Sequence, residues 1–161
     1  MLFTKTESER YTLIKTDGES NHFRFAQNVR EGLTSTPKFL SECDVYDDEG
    51  SLLFEKVCQA PEYYLTRAEN EILTEKSSEI VSTLPEDTTL IELGSGNSEK
   101  TRRLIEALLK RQADLRYAPV DISFSILDES AKSLIREYPR LYIEGIAATY
   151  HDGLDILKER M

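Results

Sequence analysis

The chain has 161 residues, 39% of them hydrophobic and including eight Tyr and six Phe, which is enough for one domain with a buried core and excludes disorder throughout. Thirty acidic against twenty basic side chains give a formal charge of -10, so most of this surface repels a nucleic-acid backbone or an anionic membrane and suits a neutral or cationic small ligand. No apolar run approaches the roughly 20 residues of a membrane helix, and the start Met1-Leu-Phe-Thr-Lys5 lacks the apolar core of a signal peptide, so a cytoplasmic location is expected.

Residues 1–20 are polar and hard to place, apart from Tyr11-Thr-Leu-Ile14, which reads as a strand running to a turn at Asp17-Gly18. A helical region is expected over 21–85. It begins with a short helix through Phe23, Phe25, Ala26, Val29 and Leu33, closed by Gly32 and Pro37. The acidic stretch Asp44 to Gly50 reads as a solvated turn, with Ser51 capping a second short helix through Leu52, Leu53, Phe54 and Val57. Thr66-Arg-Ala-Glu69 has the spacing of a capping box and opens a long helix that Pro85 stops. Cys43 and Cys58 read as reduced thiols, and His22 and His151 as loop or surface residues, since none has a partner at metal-ligand spacing. No Gly-x-Ser-x-Gly elbow is present to suggest a hydrolase.

From residue 86 the chain alternates strand and helix: 88–93, 98–112, 115–120, 124–138 and 141–147. This is the βαβαβ pattern of a doubly wound α/β fold, and right-handed crossovers set the strand order 3-2-1. Gly94, Asp121 and Thr149-Tyr150 then fall at the carboxyl ends of neighbouring strands, where such sheets bind ligands. Gly94 and Gly96 allow a sharp turn without a Cβ in the way, with Asn97 or Ser98 expected to cap the helix that follows. Asp121 lies about 25 positions after the glycines, near the spacing of a ribose ligand. His151-Asp-Gly153 reads as a turn and Leu154 to Arg160 as the beginning of another helix. The sequence ends where a fourth strand is expected to pair with 88–93, leaving that edge open for association.

Three readings of the glycine turn compete. A dinucleotide site calls for a third glycine where this chain has Glu99, whose carboxylate repels a pyrophosphate. S-adenosylmethionine carries a sulfonium and an ammonium instead, which Glu92 and the open Gly94-Ser-Gly-Asn97 turn suit better. The third reading is a structural turn that holds no ligand.

Leu93-Gly-Ser-Gly-Asn-Ser-Glu-Lys-Thr-Arg102, Pro119-Val-Asp-Ile-Ser123, Tyr46-Asp-Asp-Glu-Gly-Ser51 and Pro61-Glu-Tyr-Tyr-Leu-Thr-Arg67 together resemble the histidine-specific, S-adenosylmethionine-dependent methyltransferases of ergothioneine biosynthesis. The resemblance runs from about residue 20 to the end and implies a partial Rossmann-like, class I methyltransferase fold over 86–161 behind a substrate-side helical region. It implies cofactor contacts at Gly94, Gly96 and Lys100, ribose binding at Asp121, adenine contact at Thr149 and Tyr150, and substrate contact at Tyr46 and Tyr63. The family has Asp-Phe where this chain has Thr149-Tyr150, so a hydroxyl replaces a carboxylate there. Each role has a plainer rival: Lys100 as a solvated helix residue, Asp121 as a helix cap, Tyr63 as packing. The implied reaction is transfer of methyl groups to the α-amino nitrogen of L-histidine by direct displacement, with no metal and no covalent enzyme intermediate. Much of the amino-acid pocket of the family lies past the point matched by Met161, so turnover by this chain alone is not expected, and a non-catalytic module that keeps the cofactor half is the alternative.

Overall fold

The computed structural model describes residues 2–16, 19–41, 44 and 48–160. Strands β1 (Leu2–Ser8) and β2 (Tyr11–Thr16) form an antiparallel hairpin, followed by helices α1 (Glu19–Thr34), α2 (Asp48–Gln59) and α3 (Leu65–Ser82). The chain then alternates through β3 (Leu90–Leu93), α4 (Arg102–Leu109), β4 (Leu115–Asp121), α5 (Phe124–Glu137), β5 (Leu141–Ala147) and α6 (Tyr150–Arg160). The sheet order is β1-β2-β5-β4-β3, with β2, β5, β4 and β3 parallel and β1 antiparallel on the outside.

The three strands expected from the βαβαβ pattern therefore stand in the order 3-2-1, and the open edge is β3. Residues 2–16 extend the same sheet beyond β5: β2 bears out the strand read at Tyr11 to Ile14, and β1 is the strand that polarity did not reveal. Backbone pairing of Tyr11 to Lys15 with Ile143 to Ala147 supplies the strand's hydrogen bonds, and the Arg10 guanidinium donates to the carbonyls of Ile135, Tyr138 and Leu141, at 3.1 to 3.2 Å.

Strand side chains alternate between two cores, as the period of two requires. Tyr11, Leu13, Leu115, Tyr117, Leu141 and Ile143 face Val81, Ile105, Leu108, Leu127 and Leu134 from α3, α4 and α5. Ile14, Ala118, Val120 and Ile146 face Ile156 and Leu157 of α6. With both faces covered, the central strands read as nearly unbroken apolar runs, which is why they were legible in the sequence. On β3, by contrast, Ile91 and Leu93 each remain 43% exposed, and among the described residues no strand pairs beyond β3.

Several local expectations give way to tertiary contacts. The helix expected from residue 98 begins at Arg102, because Ser98 takes a left-handed conformation with φ of 54°. Neither Asn97 nor Ser98 caps it, and the residue at the cap position, Thr101, makes no capping bond through its side chain. Ser51 lies inside α2, which starts at Asp48, and so caps nothing. The Thr66-Glu69 capping box is absent: α3 begins at Leu65 behind Tyr64, and Glu69 pairs with Lys100 instead. His151-Asp-Gly153 is not a turn but the first turn of α6.

Gly153 is needed there for space, since a Cβ built on it would lie 2.5 Å from Val120 Cγ1. Alanine favours a helix over glycine by about 1 kcal/mol, but overpacking against β4 costs about 1–3 kcal/mol. Gly153→Ala should therefore lower stability on balance in urea unfolding. The loss should shrink in a Val120→Ala background, where the colliding methyl is gone, whereas additive effects of the two changes would show that the contact is not the cause.

Candidate functional site

The carboxyl ends of β3, β4 and β5 bring together Gly94, Gly96, Asp121, Thr149 and Tyr150, residues separated by more than fifty positions in the chain. Both glycines hold a positive φ, 74° at Gly94 and 50° at Gly96, which side chains with a Cβ rarely adopt. A Cβ on Gly94 would also lie 2.4 Å from the Tyr150 hydroxyl, so Tyr150 sits directly over the start of the loop. Above Gly96 there is open space within 4 Å of where a Cβ would be.

Asp121 organises this edge. Its Oδ2 accepts the Gly96 N–H at 2.8 Å, and its Oδ1 accepts the Ser123 N–H at 2.9 Å at the start of α5. The neighbouring backbone adds Gly94 N–H to the Val120 carbonyl at 2.8 Å and Ala148 N–H to the Asp121 carbonyl at 2.9 Å. The carboxylate thus ties the glycine loop to β4, and its other oxygen holds Ser123, the residue at the cap position of α5, rather than capping the helix itself. A carboxylate has about four lone-pair sites, so acceptor capacity remains for a ligand's hydroxyls.

The other expected residues are placed less uniformly. Lys100 Nζ is paired with Glu69 Oε2, which joins the loop to α3, and Asn97 Nδ2 donates to Glu55 Oε1 at 3.2 Å, joining it to α2. Thr149 is the N-terminal cap of α6: its hydroxyl donates to Asp152 Oδ2 at 2.8 Å and accepts the Asp152 N–H at 3.3 Å. That leaves it little capacity for a further partner. Tyr63 packs edge-on against Phe54 of α2, with ring centres 5.9 Å apart. Tyr46 lies outside the described residues.

Beneath the loop lies a polar cluster that the sequence pattern did not single out. Glu92 accepts from Thr101 Oγ1 at 2.6 Å and from the Tyr117 hydroxyl. Tyr117 Oη is 2.9 Å from Ser98 Oγ, and Ser130 of α5 reaches Ser98 Oγ at 3.0 Å and the Asn97 carbonyl at 3.1 Å. The available signal was Glu92 itself, a carboxylate within an apolar strand, which requires donors from neighbouring elements. Burial raises the Glu92 pKa above its ordinary 4.5, opposed by the hydrogen bonds from Thr101 and Tyr117 and by nearby Lys100. Burial and the adjacent Glu92 charge likewise push the Tyr117 hydroxyl up, so it stays protonated and donates. In the loop itself, the Ser95 hydroxyl is buried without a hydrogen-bond partner among the described residues.

Sheet, crossovers and glycine loop together define an α/β protein with part of the Rossmann-like methyltransferase fold. More narrowly, the chain belongs to the S-adenosylmethionine-dependent, histidine-specific methyltransferase family, whose model matches residues 25–161. It is 41% identical to a histidine N-alpha-methyltransferase of Mycobacterium tuberculosis over 136 residues, covering 84% of this chain and 42% of that protein. It is 39% identical to the histidine N-alpha-methyltransferase of Mycolicibacterium smegmatis over 128 residues, covering 80% of this chain and 40% of that protein. Identity to the ergothioneine biosynthesis protein 1 of Neurospora crassa is 36% over 122 residues, covering 76% of this chain and 14% of that protein. The chain thus spans 42% or less of the length of these relatives.

Asp121→Ala removes the acceptor of two backbone N–H groups and should lower stability by about 2 kcal/mol in urea unfolding, with Asp121→Asn losing less because one acceptor oxygen remains. Equal stability of all three proteins would show that the loop does not depend on this carboxylate. For Glu92 the folded pKa lies above the unfolded one, so its contribution to stability is present below about pH 4.5 and is lost as pH rises through the folded value. Melting of Glu92→Gln against the parent chain between about pH 4 and about pH 8 should accordingly shift in favour of the variant as pH rises. A difference that does not change with pH would remove the burial effect.

Proposed function

We propose that this chain forms the cofactor-binding half of an S-adenosylmethionine-dependent N-methyltransferase, acting on the α-amino group of L-histidine in the ergothioneine pathway. The observation that carries the reading is the convergence of Gly94, Gly96, Asp121 and Tyr150 at one sheet edge, with the Asp121 carboxylate fixing the loop through Gly96. The names of the mycobacterial and Neurospora relatives support histidine and ergothioneine as substrate and pathway.

The residues present suit the cofactor. Positive φ at Gly94 and Gly96 exposes loop backbone, the Ser95 hydroxyl is buried with no partner among the described residues, and Glu92 brings negative charge suited to a sulfonium. On this reading the loop backbone at Gly94 and Gly96 lies along the cofactor, and Asp121 accepts from its ribose hydroxyls. The Tyr150 ring provides the adenine contact, to which Thr149 adds little because its hydroxyl already caps α6. Lys100 reaches the cofactor by exchanging its ion pair with Glu69; both side chains are substantially exposed, so giving up that pair costs at most about 1 kcal/mol. Tyr46 and Tyr63 are the proposed substrate contacts.

When bound, the cofactor supplies an electrophilic methyl group on a positive sulfur. The chain's part is to hold, orient and exclude water, with acidic groups favouring the charged cofactor, and the amine must be neutral to present a lone pair. This chemistry needs no nucleophile and no metal from the protein, and a cytoplasmic setting with its supply of both small molecules completes the reading.

Calorimetry with S-adenosylhomocysteine tests it directly. The chain should bind saturably, Asp121→Asn should weaken binding about tenfold, and Gly94→Ala should abolish it because its Cβ meets both a positive φ and the Tyr150 hydroxyl. A folded chain that does not bind would overturn the cofactor assignment. Sedimentation of the same sample reports whether the β3 edge, with Ile91 and Leu93 exposed, mediates association.

A further inference from the structure

The loop residue Ser98 is held in a left-handed conformation, with φ of 54°, although it is not a glycine. For a residue with a Cβ this costs about 1–2 kcal/mol, so something must hold it there. The hydrogen bonds around it are directional. A carboxylate can only accept, so Tyr117 donates to Glu92, and the phenol oxygen is left to accept from Ser98. With its one hydrogen so used, Ser98 accepts from Ser130, whose hydroxyl also lies within reach of the Asn97 carbonyl. The result is a chain of hydroxyls running from α5 through the loop to β4 and ending on a β3 carboxylate. Thr101, at the other end of the loop, donates to the second oxygen of the same carboxylate at 2.6 Å. Ser98, Thr101 and Ser130 are buried, so water does not readily substitute for any lost link.

We propose that Tyr117 and Ser130 are positioning residues for the cofactor loop: through Ser98 they lock residues 97–101 in the shape that binds the cofactor, without touching it. The inference rests on the cofactor reading of the loop given above. In this arrangement α5 and β4 set the loop from below, while Asp121 sets it from the side through Gly96. Ser98 accepts the left-handed conformation because two buried partners hold its hydroxyl there.

Hydrogen exchange of the loop amides, read alongside S-adenosylhomocysteine affinity, tests this in the parent chain and in Ser130→Ala and Tyr117→Phe. Removing one buried link should speed exchange of amides 97–101 by about fivefold or more and weaken binding by a similar factor. Amides of β4 and β5 should keep their protection. Ser133→Ala serves as the control on the same helix: its hydroxyl accepts from Arg102 at 3.1 Å but lies outside the chain of hydroxyls, and its loss should leave loop exchange unchanged. Unchanged loop exchange in both Ser130→Ala and Tyr117→Phe would overturn the proposal, as would an equal rise across β4, β5 and the loop, which marks general destabilisation. If the parent chain fails to bind S-adenosylhomocysteine, the cofactor reading falls and with it the role of these residues in binding. The exchange rates then decide the locking of the loop by themselves.

Discussion

One contact on which the arrangement of the ligand edge depends is the Asp121 carboxylate accepting the Gly96 N–H at 2.8 Å. It joins the end of a strand buried on both faces to a loop that has no side chain to anchor at either glycine. Because both glycines hold backbone conformations that cost other residues dearly, the loop needs an external partner to define it, and Asp121 is that partner. The same carboxylate reaches Ser123 with its other oxygen, so the loop after β3 and the start of α5 share one support. If Asp121 holds the cofactor as proposed, a change there would combine a lost contact with a loosened loop, and stability must be measured beside binding to separate the two.

Support from the upper side is of a different kind. Asn97 to Glu55 and Lys100 to Glu69 tie the loop to α2 and α3 through exposed partners, each worth little in water. Below, Glu92, Tyr117, Ser98, Thr101 and Ser130 are linked where water has poor access, and an unmade bond there costs the desolvation of the orphaned group. The loop is thus firm toward the sheet and α5 and adjustable toward α2 and α3. That asymmetry fits the proposed function, in which the cofactor side would be set in advance and the side toward α2 and α3 would be joined by weak contacts.

Much of this was legible because the parallel sheet imposes a local rule. Strands covered on both faces must be apolar along their length, so Leu115 to Val120 and Leu141 to Ala147 announce themselves, and the helices between them follow from their periodicity. Where the expectation failed, a distant partner won. Thr66 and Glu69 have the spacing of a capping box, yet Glu69 serves Lys100. Ser98 resembles a helix cap, yet its hydroxyl joins Tyr117 and Ser130, and the helix starts four residues after the position at which it was expected to begin. Gly153 resembles a turn residue, yet it lies in a helix, at a position where Val120 leaves no room for a Cβ.

The sequence by itself determined the alternation of elements, the glycine turn, the carboxylate at the end of the next strand and the family resemblance, since each is written in residues close along the chain. Only the tertiary structure decided that residues 2–16 form a hairpin pairing with β5 through β2, that Asp121 holds Gly96, and that Glu92, Tyr117 and Ser130 from three elements form one chain with Ser98 of the loop. The physical reason is that a hydrogen bond between buried side chains carries no periodicity. Its partners are chosen by which atoms packing brings within about 3 Å, and here those partners lie up to 32 positions apart, as Ser98 and Ser130 do.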